Sequence, residues 1–131
     1  MIKDVSIEVT QKCVYRCIHC SSCSTEKCTM MLQLDPLRRV IQGLHRLNVE
    51  RVCLSGGEPF LHPDIVEIVK QISDSNIIVD IYSCGIVKDA EEAKPLSLEL
   101  LSIMKKVGLR SLLFNLQSAN ENTYDLITQS N

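Results

Sequence analysis

The sequence predicts an α/β fold in which helices cover a parallel sheet. Short strand-like apolar runs alternate with segments whose apolar residues recur at helical spacing, and this alternation occurs four times along the chain. Strands that alternate with helices in this way pair in parallel through right-handed crossovers. The strand segments are mostly continuous apolar runs, which is typical of strands covered on both faces. Two closures agree with the pattern: an open doubly wound sheet, or part of a (β/α) barrel with about four βα units.

The first half of the chain predicts two strands and two helices. Residues 4–10 alternate apolar and polar side chains and predict the first strand. Asp35, which is followed by proline, is predicted to be the N-cap of a helix that ends near residue 48. A short buried strand is predicted at 51–55, and its helix at 65–72.

The second half repeats the alternation. It predicts, in order, a strand at 76–83, a charged loop at 86–95, a helix from the N-cap Ser97 to Val107, a strand at 110–117 and a last helix capped by Asn120. No internal repeat, linker or low-complexity segment interrupts this order. Residues 1–131 are therefore expected to form a single domain.

Composition excludes several classes of function. The net charge of −2 favours neither nucleic acid nor a membrane surface. The chain has no Trp and only 4% aromatic residues, which argues against a stacking platform for single-stranded nucleic acid. No apolar run reaches membrane-spanning length, and residues 1–10 lack the apolar stretch of a signal peptide. We therefore expect a cytoplasmic protein that binds neither membranes nor nucleic acid.

Five of the seven cysteines lie within residues 13–28. In a reducing compartment, clustered cysteines bind metal or take part in chemistry more often than they form disulfides. Cys13, Cys17 and Cys20 follow the spacing C-x3-C-x2-C, and three thiolates on one loop can bind a soft metal or an iron–sulfur cluster. A structural zinc site usually takes four ligands as two separated pairs, which this triplet is not. On a [4Fe–4S] cluster, three cysteines would leave the fourth iron open.

Each unusual segment follows the end of a predicted strand. The cysteine triplet follows the first strand, Gly56-Gly57-Glu58-Pro59 the second, Ser83-Cys84-Gly85 the third, and Asn115-Leu116-Gln117-Ser118 the fourth. The carboxyl ends of parallel strands meet at one edge of a sheet or barrel. We therefore expect these segments to form one ligand site on a single rim.

Three of the segments together are typical of one known family. They read C-V-Y-R-C-I-H-C at 13–20, L-S-G-G-E-P-F-L-H-P-D at 54–64 and N-L-Q-S-A-N-E-N-T-Y-D-L-I at 115–127. In that order they resemble the cluster motif, the second motif and the fourth-strand segment of the radical S-adenosylmethionine (radical SAM) enzymes. The resemblance covers essentially the whole chain and implies a partial (β/α) barrel of that family's type. The family's barrel usually has six strands, so this chain is expected to stop after the fourth strand and part of its helix.

The resemblance also implies a role for each site residue. Cys13, Cys17 and Cys20 would ligate three irons of a [4Fe–4S] cluster, and S-adenosylmethionine would chelate the fourth. The residues that would bind S-adenosylmethionine are His19 near the adenine, Gly56, Gly57 and Glu58 at the methionine amino group, largely through backbone, and Ser83 and Asn115 near the ribose or the carboxylate. Three positions depart from the family's usual residues, namely Cys84 for Asn, Asn115 for Ser and Gln117 for Asp.

The activity implied by the resemblance is that of an enzyme. A reduced cluster would pass one electron into the sulfonium, giving methionine and a 5′-deoxyadenosyl radical that abstracts hydrogen from a substrate. The partners implied are a reductant of the flavodoxin or ferredoxin type and an unidentified substrate, such as a peptide. General similarity of the second motif and the fourth-strand segment to certain subgroups favours peptide or cofactor maturation.

Other hypotheses remain open for the cysteines. In a non-catalytic module, Cys13, Cys17 and Cys20 would hold zinc or a closed cluster together with either Cys23 or Cys28. Iron and sulfide content separates the two, since a cluster needs about four irons and a structural site about one zinc. Otherwise Cys23 and Cys28 are spectator thiols, and Cys84 either faces the site or is packed. A third hypothesis is a shortened reading frame with no function of its own.

Overall fold

A computed structural model of the chain describes residues 2–89 and 92–130. The strands are β1 (Asp4–Thr10), β2 (Arg51–Gly56), β3 (Ile78–Ser83), β4 (Ile86–Asp89), β5 (Glu92–Pro95) and β6 (Leu109–Phe114). The helices are α1 (Leu34–Arg46), α2 (Ile65–Asp74), α3 (Leu98–Lys106) and α4 (Glu121–Thr128). Four strands form a parallel sheet in the order β1-β2-β3-β6. The predicted α/β fold with a parallel sheet and four βα units is confirmed.

One apolar cluster joins the sheet to its helices. Its fully buried members are Val9, Leu37, Val52, Leu54, Ile68, Val69, Ile72, Val79, Ile81 and Met104. Burying a side chain of this size contributes about 1.5–3 kcal/mol to folding relative to leaving it exposed. The cluster therefore fixes the strands against α1, α2 and α3, and with them the position of the loops at the strand ends.

The other face of the sheet carries a row of alternating charges. Because side chains alternate along a strand, Arg51 faces away from the core that holds its neighbour Val52. Its Nε lies 3.9 Å from Asp4 Oδ1 on β1 and 3.6 Å from Asp80 Oδ2 on β3. Asp80 also accepts two hydrogen bonds from the Arg110 guanidinium on β6, at 3.0 and 2.7 Å. The row thus links all four parallel strands.

Two predicted helix caps are confirmed, and one is wrong. Ser97 accepts a hydrogen bond from Leu100 N at 3.1 Å, and Asn120 Oδ1 accepts one from Thr123 N at 3.0 Å. The predicted cap at Asp35 is wrong, because α1 begins at Leu34 and its N-cap is Gln33. Asp35 lies in the first turn, where its charge favours the helix N-terminus.

The segment predicted as a charged loop at 86–95 forms an antiparallel hairpin instead. β4 and β5 pair from Ile86↔Pro95 to Asp89↔Glu92. Leu96 N donates to Gly85 O at 3.0 Å and continues the pairing beyond the strands. These strands are hard to predict because each has only four residues and the two together hold several charged residues.

Two predicted strand ends also differ from the structure. β3 begins at Ile78 rather than at residue 76, because Asn76 has a φ of 59° and left-handed backbone does not fit a strand. β6 ends at Phe114 rather than at residue 117. Asn115 and Gln117 therefore lie on the connection to α4. Among the residues the structure describes, no helix has the length and apolarity needed to cross a membrane.

Candidate functional site at the carboxyl ends of the strands

A cavity of about 230 Å³ lies where the four parallel strands end. Eight of the nine predicted site residues line it: Cys13, Cys17, His19, Cys20, Gly56, Gly57, Ser83 and Asn115. They come from the loop after β1, the turn after β2, the end of β3 and the connection after β6. The structure therefore brings together the segments that the sequence placed at successive strand ends. Glu58 is the exception, because it does not contribute to the cavity wall.

The cysteine loop, residues 11–30, is held closed at its base. Gln11 N donates to Met30 O at 3.0 Å, and the buried Thr10 hydroxyl donates to the same carbonyl at 3.1 Å. A turn within the loop follows from Cys20 N donating to Cys17 O at 3.1 Å. These bonds keep the triplet above the end of β1.

Burial raises the pKa of two thiols of the triplet. It raises the pKa of Cys13 to about 11, and the nearby Glu58, Cys17 and Cys20 add to that rise. It also raises the pKa of Cys17, with Cys20 as the second cause. Only a thiolate binds metal, so a bound cation would have to displace these protons. Loading of the site is therefore expected to release protons.

The donor set on the cavity wall consists of three thiols, a ligand type that suits an iron–sulfur cluster. Within residues 2–89 and 92–130, no three His, Cys, Asp or Glu side chains are grouped so that they could hold one metal ion. A [4Fe–4S] cluster binds each thiolate through a different iron, so its ligands need not converge on one atom. Cys23 and Cys28 do not help to line the cavity. Cys23 is exposed, and Cys28 Sγ lies 3.4 Å from Thr25 Oγ1.

A fourth thiol, Cys84, does line the cavity. Its backbone N–H donates to Glu58 Oε2 at 2.8 Å, and its thiol donates to Ile86 O at 3.4 Å. Burial and then the charge of Glu58 raise the pKa of Cys84. Of the two alternatives for this residue, the structure supports the one in which it faces the site.

The two glycines after β2 are required by packing against the end of β1. A Cβ on Gly56 would lie 2.2 Å from Thr10 O, and one on Gly57 would lie 2.2 Å from Lys12 O. Gly56 also has a φ of 127°, which other residues rarely adopt. The N–H of Gly57 donates to Thr10 O at 2.7 Å, and that of Glu58 to Lys12 O at 2.8 Å. The sequence pattern predicted a ligand contact through the backbone of these glycines and did not indicate their contact with the end of β1 and its loop.

Alanine at Gly57 is expected to lower the free energy of unfolding by about 1–3 kcal/mol, because its Cβ would overlap the Lys12 carbonyl. The matched control is Gly43→Ala in α1, where an added Cβ meets no atom within 4 Å. That change is expected to raise the free energy of unfolding by about 0.5–1 kcal/mol. Urea denaturation of the metal-free chain measures both. Equal stability of the Gly57→Ala chain and the parent would contradict the close approach.

Glu58 is fully buried and connects the turn after β2 to the end of β3. Its Oε1 accepts hydrogen bonds from Ser83 Oγ at 2.9 Å and from Phe60 N at 3.2 Å, while Oε2 accepts from Cys84 N. Burial raises the pKa of this carboxyl, and the donated hydrogen bonds oppose that rise. The Glu58 side chain therefore holds two walls of the cavity together from behind.

Sequence reasoning missed several residues of the cavity wall, notably Tyr15, Tyr82, Tyr124 and Thr128. Tyr15 and Tyr124 lie inside the first and third quoted motifs, but tyrosine is not a residue type expected to bind metal in a cysteine-rich site. Their rings meet edge to face, with centroids 5.9 Å apart and an interplanar angle of 78°. The signal that could have found them is the position of both tyrosines within segments already assigned to one rim.

Comparison with known proteins gives one consistent result. The family model described as the radical SAM superfamily matches residues 7–131. The chain is 30% identical to a GTP 3′,8-cyclase of Desulforamulus reducens, over 98% of this chain and 38% of that protein. It is 27% identical to a PqqA peptide cyclase of Bradyrhizobium diazoefficiens, over 94% of this chain and 30% of that protein.

A solved structure agrees at the level of the fold. Streptococcus suis SuiB bound to S-adenosylmethionine matches with a TM-score of 0.75 and 15% sequence identity, over 97% of this chain and 28% of that chain. The chain therefore spans between about a quarter and two fifths of the length of these proteins.

Proposed function

The chain belongs to the radical SAM superfamily, and on that premise we propose that Cys13, Cys17 and Cys20 bind a [4Fe–4S] cluster with S-adenosylmethionine beside it. The supporting observation is that three thiols of one loop line a single cavity at the carboxyl ends of the parallel strands. When bound, the pair supplies one-electron reductive cleavage of the sulfonium and a 5′-deoxyadenosyl radical for hydrogen abstraction. The protein contributes binding, orientation and exclusion of water.

The turn after β2 would receive the methionine part of S-adenosylmethionine. An ammonium group donates hydrogen bonds, so it needs acceptors. The N–H groups of Gly57 and Glu58 are donors, and they already donate to β1 and its loop. The backbone carbonyls of the turn would therefore be the acceptors. The buried Glu58 carboxyl acts through Ser83 and Cys84 and keeps this turn in register with the end of β3.

The remaining cavity walls would receive the nucleoside. His19, next to the third cysteine, would lie along the adenine. The Ser83 hydroxyl donates to Glu58 and accepts from Gly85 N at 2.8 Å, so it is already engaged within the protein. Asn115 is fixed through its backbone N–H, which donates to Ser83 O at 2.9 Å. Its side-chain amide is thus the better partner for a ribose hydroxyl or the carboxylate.

We propose peptide or cofactor maturation as the wider role. The names of the relatives support this class, since one is a GTP cyclase and the other a cyclase of the PqqA peptide. The electron would come from a reductant of the flavodoxin or ferredoxin type. The seven free cysteines suit a reducing compartment such as the cytoplasm.

Anaerobic reconstitution followed by metal analysis and EPR tests the proposal. We expect about four irons and four sulfides per chain. The dithionite-reduced chain should give a [4Fe–4S]⁺ signal that changes when S-adenosylmethionine is added. One zinc in place of iron would refute the proposal for this chain, as would a cluster signal that S-adenosylmethionine leaves unchanged.

The Cys84→Ala variant serves as the matched control for an open iron. If the cluster has three protein ligands and Cys84 is not one of them, this variant should keep its iron and its response to S-adenosylmethionine. If Cys84 closed the cluster as a fourth ligand, the variant would lose iron, or would respond where the parent did not.

A further inference from the structure

The end of α4 contacts the cysteine loop on both sides of Cys17. Arg16 N donates to Thr128 O at 3.0 Å, and Ile18 N donates to Ile127 O at 2.9 Å. The last carbonyls of a helix have no intrahelical partner, so they are available to such donors. To acceptors among the described residues, residues 13–20 donate four backbone hydrogen bonds outside regular helices and strands, and two of these go to the last turn of α4.

Side chains strengthen the same contact. The Tyr124 ring packs edge to face on Tyr15, which is an arrangement that aromatic pairs prefer. Arg16 Nε donates to Gln129 Oε1 at 3.1 Å. Thr128 is 1% exposed, and its hydroxyl donates to Tyr124 O at 2.8 Å, which closes the last turn of the helix. Tyr124 and Thr128 both belong to the wall of the cavity.

The contact connects segments that follow the two edge strands of the sheet. The cysteine loop follows β1 and α4 follows β6, and these are the outer strands of the order β1-β2-β3-β6. No hydrogen bond between strands connects them, because β2 and β3 lie between. The end of α4 therefore connects the segment after β6 to the loop after β1 at the rim.

We propose that the last turn of α4, with Tyr124 as its main side-chain contact, is a positioning element for Cys17. By fixing the backbone before and after this residue, it keeps the Cys17 thiol on the cavity wall with those of Cys13 and Cys20. A loop that is ordered in advance does not have to lose that conformational freedom when its ligand binds. The inference rests on the proposed cluster, but the contact itself is a property of the metal-free chain.

Amide hydrogen exchange of the metal-free chain tests the contact first. Tyr124→Ala should speed exchange at Arg16 N and Ile18 N about tenfold. Tyr124→Phe keeps the ring and should stay within about twofold of the parent at both amides. Leu126→Ala, at a position of α4 that is 72% exposed, is the control on the same helix and should change neither. The amides of Leu54 and Ile81 in the sheet report global stability and should not change.

Iron retention after anaerobic reconstitution tests the consequence. Tyr124→Ala should retain several-fold less iron than the parent, and Tyr124→Phe should restore it. Unchanged exchange at Arg16 and Ile18 in Tyr124→Ala would overturn the proposal. Equal acceleration of exchange at Leu54 and Ile81 in the sheet would also overturn it. So would fast exchange at Arg16 and Ile18 in Tyr124→Phe, or full iron retention in Tyr124→Ala despite faster exchange. If the parent itself binds no iron, the proposed function fails, whereas the exchange result still decides the contact.

Discussion

Replacing Cys17 with alanine is expected to lower iron retained after anaerobic reconstitution to less than about a tenth of the parent value. The [4Fe–4S]⁺ EPR signal should disappear with it. Cys17 lies at the centre of the triplet and lines the cavity, and two thiolates do not replace three as cluster ligands. The Cys17 side chain is only partly buried, so the free energy of unfolding of the metal-free variant should differ from that of the parent by less than about 1 kcal/mol. Loss of iron would then report a lost ligand and not a lost fold.

Cys23→Ala is the control for this experiment. Cys23 lies three residues after Cys20, but it is exposed and does not contribute to the cavity wall. The Cys23→Ala variant should therefore retain as much iron as the parent and give the same EPR signal. If Cys23→Ala or Cys28→Ala lost as much iron as Cys17→Ala, the closed four-thiol module would be favoured over the open cluster.

The architecture was predictable because its signals are local. Strand and helix periods follow from which side chains must be buried, and caps such as Ser97 and Asn120 satisfy N–H groups within three residues in sequence. Convergence on one rim follows from parallel pairing alone. The hairpin β4–β5 was missed because its strands are short and carry several charged residues. Their pairing cannot be read from a buried apolar face.

The missed parts of the site depend on proximity in three dimensions. Nothing near Gly57 in sequence indicates that the Lys12 carbonyl limits it to glycine. The contact of Tyr15 with Tyr124 joins residues more than a hundred positions apart. Glu58 was expected to act at a ligand, largely through its backbone, whereas its buried side chain supports Ser83 and Cys84. The motif located these residues but did not separate ligand contacts from structural ones.

Replacing Glu58 with alanine is expected to lower the free energy of unfolding by about 3 kcal/mol or more, since each buried donor left without an acceptor costs about 1–3 kcal/mol. Three groups would lose their acceptor: Ser83 Oγ, Phe60 N and Cys84 N. Glu58→Gln is the matched variant. Its carbonyl oxygen can serve Ser83 and Phe60, but its amide nitrogen then faces the Cys84 N–H, so about 1–2 kcal/mol should be lost. Urea denaturation of the metal-free chains compares them, and a Glu58→Ala chain within 1 kcal/mol of the parent would contradict a structural role.

The same pair of chains separates the charge of Glu58 from its hydrogen bonds. Burial raises the pKa of this carboxyl in the folded chain above its ordinary value of 4.5. The folded state therefore binds the proton more tightly than the unfolded state does, and the contribution of Glu58 to stability is fully present below about pH 4.5. It declines as the pH rises through the folded pKa, because the folded chain must then hold a buried carboxylate or give up the contact. Glutamine does not titrate, so the advantage of the parent over Glu58→Gln should shrink as pH rises in denaturation series. An advantage that grows with pH would mean that the hydrogen bonds from Ser83, Phe60 and Cys84 outweigh desolvation and favour the charged form.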